Sequence, residues 1–150
     1  MVLARDLQYG FNSERMVLNK LNADWRGFSK TKEMYNHFDF RDDERKIDIE
    51  LKTRRNTKTK YDTVFFSKLK LDAGRERMKN GDTNRVIYLF CYDKDETGSG
   101  AKKLWYWEDF GDNDDDFSFI FSGNYNNKEL TKPLVSLDCN KLKKYKYLAV

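Results

Sequence analysis

Residues 36–60 read NHFDFRDDERKIDIELKTRRNTKTK, and this stretch decides the fold. From Lys46 to Lys52 the alternation is strict. Ile47, Ile49 and Leu51 point one way, and Asp48, Glu50 and Lys52 the other, as a half-buried strand requires. Upstream, Phe38 and Phe40 alternate with Asp39 and Arg41, and residues 42–45 carry turn chemistry, so two antiparallel strands with a tight connection are predicted. A two-residue loop (Asp43, Glu44) and a four-residue loop (residues 42–45) give the same register: Asp39 opposite Asp48, Phe40 opposite Ile47, Phe38 opposite Ile49. The apolar residues of both strands then share one face. The other face gathers Asp39, Asp48, Glu50 and Lys52. Like charges opposite one another destabilise a sheet, so three carboxylates with one ammonium point to a divalent cation with oxygen ligands.

Asp39, ten intervening residues and then Glu50-Leu51-Lys52 resemble the D…ExK core of the PD-(D/E)XK nuclease superfamily, which has the restriction-endonuclease-like fold. The KTRR…KYDT…K that follows is similar to small phage and large-DNA-virus proteins of that superfamily. The resemblance runs from the first helix to the strand around Val86 and leaves the C-terminal third unaccounted for. D…ExK is a short motif; its context here is a hairpin, a helix before it, and a helix then an apolar strand after it. One departure is Phe38, where the motif's name would put Pro. The implied fold is a mixed α/β sheet flanked by helices in the order αβββαβ, with extra C-terminal β segments, as a single domain over residues 1–150.

The composition agrees with a soluble, highly polar chain: 36% of residues are charged and 39% hydrophobic. No apolar run approaches the roughly 20 residues of a membrane-spanning helix. The opening MVLARDLQYG lacks a charged-then-apolar signal pattern, which predicts an intracellular site of action. The viral resemblance places that site in the cytoplasm or nucleus of a host cell, with packaging in a virion as a second location. Cys91 and Cys139 read as reduced and structural, and with the lone His37 they offer no zinc spacing. Net charge is only +4, but its distribution is uneven. Residues 52–60 hold Lys52, Arg54, Arg55, Lys58 and Lys60 and no acid, directly after the acidic cluster. Metal-holding acid beside phosphate-holding base is the arrangement a phosphodiesterase needs.

Residues 13–25 (SERMVLNKLNADW) predict the first substantial helix, with Ser13 as N-cap and an apolar stripe of Val17, Leu18, Leu21 and Trp25. Glu14 falls on that stripe. It either caps the helix dipole or, as the resemblance implies, reaches the metal. Gly27 breaks the helix, and residues 28–32 are a candidate first strand. Residues 61–78 read as a helix that stops at Asn80-Gly81, although residues 67–72 also alternate like a strand. Lys70 matches a lysine of the viral relatives and reads as a phosphate contact or an exposed helix lysine. Residues 86–92 (VIYLFCY) predict a strand covered on both faces and parallel to its partner through the helical crossover. Residues 103–108 return as its hairpin partner. Trp105, Tyr106 and Trp107 read as packing rather than base stacking. Residues 109–116 (DFGDNDDD) read as a solvated acidic turn, residues 117–121 and 134–137 as further strands, and residues 124–128 as a polar connection. The basic tail from Lys141 onward either touches nucleic acid or closes the sheet.

The resemblance also assigns roles. Asp39 and Glu50, with the Leu51 main-chain carbonyl, would hold Mg²⁺ or Mn²⁺, and Lys52 would orient a water or steady the developing charge. Asp48 reads as a further ligand or a polar rim residue. Arg54, Arg55, Lys58 and Lys60 would grip flanking phosphates. The predicted activity is metal-dependent endonucleolytic cleavage of DNA, in viral or phage DNA processing, recombination or repair, with a homodimer favoured if both strands are cut. The alternative is a catalytically inactive nuclease-fold protein that binds nucleic acid or is structural.

Overall fold

The computed structural model describes residues 4–31, 38–98, 102–122 and 132–146. The chain is α/β. Its elements, in order, are α1 (Ala4–Asp24), β1 (Ser29–Lys30), β2 (Phe40–Asp42), β3 (Ile47–Arg54), β4 (Thr63–Ser67), α2 (Lys68–Asn80), β5 (Arg85–Tyr92), β6 (Lys103–Asp109), β7 (Phe117–Ser122), β8 (Lys132–Asp138) and β9 (Lys143–Lys144). Six strands form one sheet in the order β1-β2-β3-β5-β6-β9, and three form a second in the order β4-β8-β7. As the crossover requires, β3 and β5 are parallel, Glu50 facing Tyr88 and Lys52 facing Phe90. Every other pairing is antiparallel.

The six-stranded sheet is covered on both faces. Val17 and Leu21 of α1, with Trp25 just after it, pack on Ile47, Ile49, Leu51, Ile87 and Leu89. Behind it, Leu71 of α2 and Val64, Phe66, Val135 and Leu137 of the second sheet pack on Tyr88, Phe90, Tyr92 and Trp107. This double cover explains the near-continuous apolar run of β5, buried from Val86 to Tyr92.

Several sequence expectations are corrected. Helix α1 already begins at Ala4, so Ser13 is a buried mid-helix residue rather than an N-cap, and Glu14 lies far from the dipole's positive end. The segment after the basic block is not wholly helical. Thr63–Ser67 is β4, and Ser67 both ends it and caps α2, its hydroxyl accepting from Leu69 N at 3.2 Å. The partner of β4 is β8, far along the chain, where Val64 faces Leu137 and Phe66 faces Val135. Local periodicity carries no signal of that pairing. The predicted stop holds, since Gly81 is left-handed with φ 79°. Expectations for residues 32–37, 99–101, 123–131 and 147–150, including His37 and the polar connection at 124–128, lie outside the described residues.

The hairpin register is shifted by two: Phe40 faces Ile49, Arg41 faces Asp48 and Asp42 faces Ile47. Residues 43–46 form the turn, with Lys46 left-handed at φ 57°. Asp42 is drawn into the strand because its buried carboxylate accepts from Arg45 N at 3.0 Å and Arg45 Nε at 2.5 Å. A shift of two conserves the face, so Phe40 still joins Ile47, Ile49 and Leu51. Phe38 does not. Asp39 N donates to the carbonyl of Ile49, which also faces Phe40, so two residues of this strand meet one on β3. Alternation breaks at this bulge, and Phe38 turns to the opposite core against Tyr88.

Gly27, with φ +86°, lies against the same turn; an added Cβ would sit 2.7 Å from Asp42 Oδ2 and 3.1 Å from Arg45 Nη2. Gly27→Ala is therefore expected to lower stability by about 2 kcal/mol, through backbone strain and a displaced Asp42–Arg45 pair. Urea unfolding at pH 7 checks this, and an unchanged midpoint would show that the turn can relax.

Candidate active site

The site lies where β2 gives way to the bulge. Because regular pairing with β3 ends at Phe40, the side chain of Asp39 replaces a strand partner, its Oδ2 accepting from Leu51 N at 2.8 Å. The N–H and C=O of one strand residue point to the same side, so the Leu51 carbonyl faces the same edge. Glu50, on the α2 side of β3, is 3% exposed, and its carboxyl comes within hydrogen-bonding reach of Asp39. Helix α2 adds Lys70, with Nζ 3.2 Å from Glu50 Oε2, and Lys52 Nζ lies 4.0 Å from Glu50 Oε1. The buried Oε2 nonetheless accepts no hydrogen bond, so its contact with Lys70 is ionic rather than directed. Burial, and then the Asp39 carboxylate, push the Glu50 pKa up to about 8, with Lys52 and Lys70 only partly opposing the rise.

Asp39, Glu50, Lys52 and Lys70 are thus brought together. Glu14, Asp48 and Arg54 do not join them. Glu14 pairs with Lys30 of β1 at 3.0 Å, and no described contact joins it to Asp39 or Glu50. Asp48 is neither rim nor ligand; it is fully buried, accepting from Arg41 Nη1 at 2.9 Å and Arg77 Nε at 2.8 Å. Arg77 went unremarked in the sequence, since only the docking of α2 on β3 brings it to Asp48. The acidic turn is likewise partly structural. Buried Asp109 is held by two nitrogens of Arg75, and Asp116 accepts from Trp107 Nε1 at 2.8 Å.

Of the basic block, Arg54 turns inward and donates to the carbonyls of Thr53 and Phe65 at 2.9 and 2.6 Å, so it is not a free phosphate grip. Lys58 lies over the ring of Trp105, with Nζ 4.1 Å from its centroid, and Lys60 lies near the ring of Tyr61 at 5.4 Å. Arg55 is exposed. At the tail, Lys143 and Lys144 extend the sheet as β9, and Tyr145 donates to Asp24 at 2.7 Å. Here the tail closes the sheet.

The donor set fits a hard divalent ion in kind: a main-chain carbonyl and two adjacent carboxyls, one of them with a buried oxygen that accepts no hydrogen bond. It is small. Among the described residues no three His, Cys, Asp or Glu side chains cluster as a metal group. Among those residues also, no helix is long and apolar enough to cross a membrane. Comparison of the chain with known protein families, with curated proteins and with solved structures finds no match.

Proposed function

We propose that this protein is a divalent-metal-dependent endonuclease of PD-(D/E)XK type that hydrolyses phosphodiester bonds in DNA inside a host cell. The observation that carries the reading is the convergence of Asp39 and Glu50, two carboxyls side by side with that of Glu50 buried, and Lys52 and Lys70 against Glu50. Further support comes from the element order, a helix and three strands before α2 and β5, interrupted only by β4. Asp39, Glu50 and the Leu51 carbonyl would hold Mg²⁺ or Mn²⁺. When bound, such an ion neutralises phosphate charge and makes water a better nucleophile at neutral pH. Lys52 and Lys70 stay close enough to steady the negative charge that develops on phosphorus-bound oxygens. Burial of Glu50 holds a proton on its carboxyl, so ion binding would have to release that proton. Arg55, Lys58 and Lys60, in the loop that follows β3, would supply sequence-independent phosphate contacts.

The test is incubation of wild type, Asp39→Ala and Glu50→Ala with plasmid and branched DNA plus Mg²⁺ or Mn²⁺. Cleavage by wild type alone is expected. Equal cleavage by all three preparations, or by none, rejects the assignment. The two-carboxylate donor set also favours a second reading, a nuclease-fold protein that binds nucleic acid without turnover. Its signature is undiminished DNA affinity in EDTA with no product under any metal.

A further inference from the structure

We propose that the hollow at the far end of β3 is a subsite for one unstacked nucleobase, so that the substrate presents a single-stranded segment; this rests on the nuclease reading only for its relation to the cut. Glu50, Lys52 and Arg54 follow one another along one face of β3. Arg54 lies four residue steps beyond Glu50 along the strand, roughly 13 Å. There a cavity of about 220 Å³ is lined by Arg54, Asn56, Tyr61, Val64, Phe65 and Tyr92. It is smaller than the roughly 300 Å³ at which drug-sized pockets begin, so it suits one planar ring.

The lining has the character of a base site. Tyr61 and Phe65 are 58% and 42% exposed, large aromatic side chains left open to solvent. Arg54 is pinned by the Thr53 and Phe65 carbonyls, so its guanidinium forms a fixed charged wall rather than a mobile surface group. Further cations stand nearby: Lys60 lies beside the Tyr61 ring, Arg55 is exposed in the same loop, and Lys58 of that loop lies over the Trp105 ring. Asp62, next to Tyr61 in sequence, lines the neighbouring hollow with Asp115, Asp116 and Asp138. Exposed rings with cations nearby are the combination that holds single-stranded nucleic acid: each base stacks while its phosphates are neutralised. A base inside an intact duplex reaches such a hollow only after unpairing and unstacking. A strand that is already single meets no such barrier.

The experiment is fluorescence anisotropy in EDTA, where cleavage plays no part. The probes are a labelled single-stranded DNA 12-mer, a 12-mer of the same backbone made wholly of abasic residues, and the 12-mer duplex. Wild type is expected to bind the base-bearing strand about tenfold more tightly than the abasic strand. Tyr61→Ala and Phe65→Ala should each lose about tenfold on the base-bearing strand and stay within twofold on the abasic one. Phe65→Leu keeps apolar bulk without a ring and should lose affinity in the same way. Thermal melting of each variant establishes that it is folded. Equal losses on both strands, variants indistinguishable from wild type, or a duplex bound as tightly as the single strand would overturn the subsite. A hollow built for an aromatic side chain of a protein partner would give wild type equal affinity for the base-bearing and abasic strands, and would overturn it too. Base-dependent binding by a protein that cuts nothing under Mg²⁺ or Mn²⁺ would leave the subsite standing and remove the nuclease reading. Cleavage without base-dependent binding would do the reverse.

Discussion

Glu50→Gln is expected to abolish metal-dependent cleavage and, in the same protein, to raise stability above pH 8. The Glu50 carboxyl is buried against Asp39, which moves its pKa from an ordinary 4.5 to about 8. Between those values the folded chain keeps a proton that the unfolded chain gives up. Stability therefore falls as pH rises from about 4.5, and the loss is complete once pH passes about 8. At about 1.4 kcal/mol per pH unit, the charged site at pH 9 costs the wild type a few kcal/mol. Glutamine has the shape of the protonated acid and no proton to lose, so the variant lacks this slope. Urea unfolding of both proteins at pH 6 and pH 9 makes the comparison; parallel pH profiles would show that Glu50 does not titrate as its surroundings require. The divalent ion sets a second arm. Because binding must displace the Glu50 proton, Mg²⁺ or Mn²⁺ should raise the melting temperature of wild type more at pH 9 than at pH 6, and should do little to Glu50→Gln.

Asp48→Ala is expected to cost about 3 kcal/mol without touching the metal response. Its carboxylate is wholly buried between Arg41 and Arg77, whose side chains are 18% and 28% exposed. Removing one member of a buried ion pair leaves the others desolvated and uncompensated, which is why such losses exceed the worth of the intact pair. The residual exposure of the two arginines keeps the figure at the lower end. The network joins β2, β3 and α2, so the variant should unfold at lower urea across the whole chain. A loss under 1 kcal/mol would show that the arginines find water instead. Loss of the metal-induced shift in melting temperature would return Asp48 to the site. Two acids two residues apart on one strand thus differ: Asp48 is paired with two arginines, and Glu50 is buried beside a second carboxyl that holds its proton on.

How much of this was legible differs element by element. The alternation from Ile47 to Lys52 assigned β3 its two faces, because side chains on a strand alternate whatever surrounds them. The apolar run at residues 86–92 gave a doubly covered strand, and the crossover rule made it parallel to β3. The proximity of Asp39, Glu50 and Lys52 followed from the same pattern, but through a register that was off by two. Asp42 and Arg45 decide that register by closing the turn, and the bulge at Asp39 turns Phe38 to the other core. Neither effect has a periodic signature. Strand β4 was misread because the partner that stabilises it, β8, lies in the C-terminal third.

The sequence by itself determined what kind of surface each strand would present, since side-chain alternation and apolar content are local properties of the chain. Tertiary structure alone decided which charges would be buried together: α2 laid on β3 brings Arg77 to Asp48 and Lys70 to Glu50. Burial and the neighbouring charge, not residue type, separate a carboxylate paired with arginines from a carboxyl that keeps its proton, and both are set by segments distant along the chain.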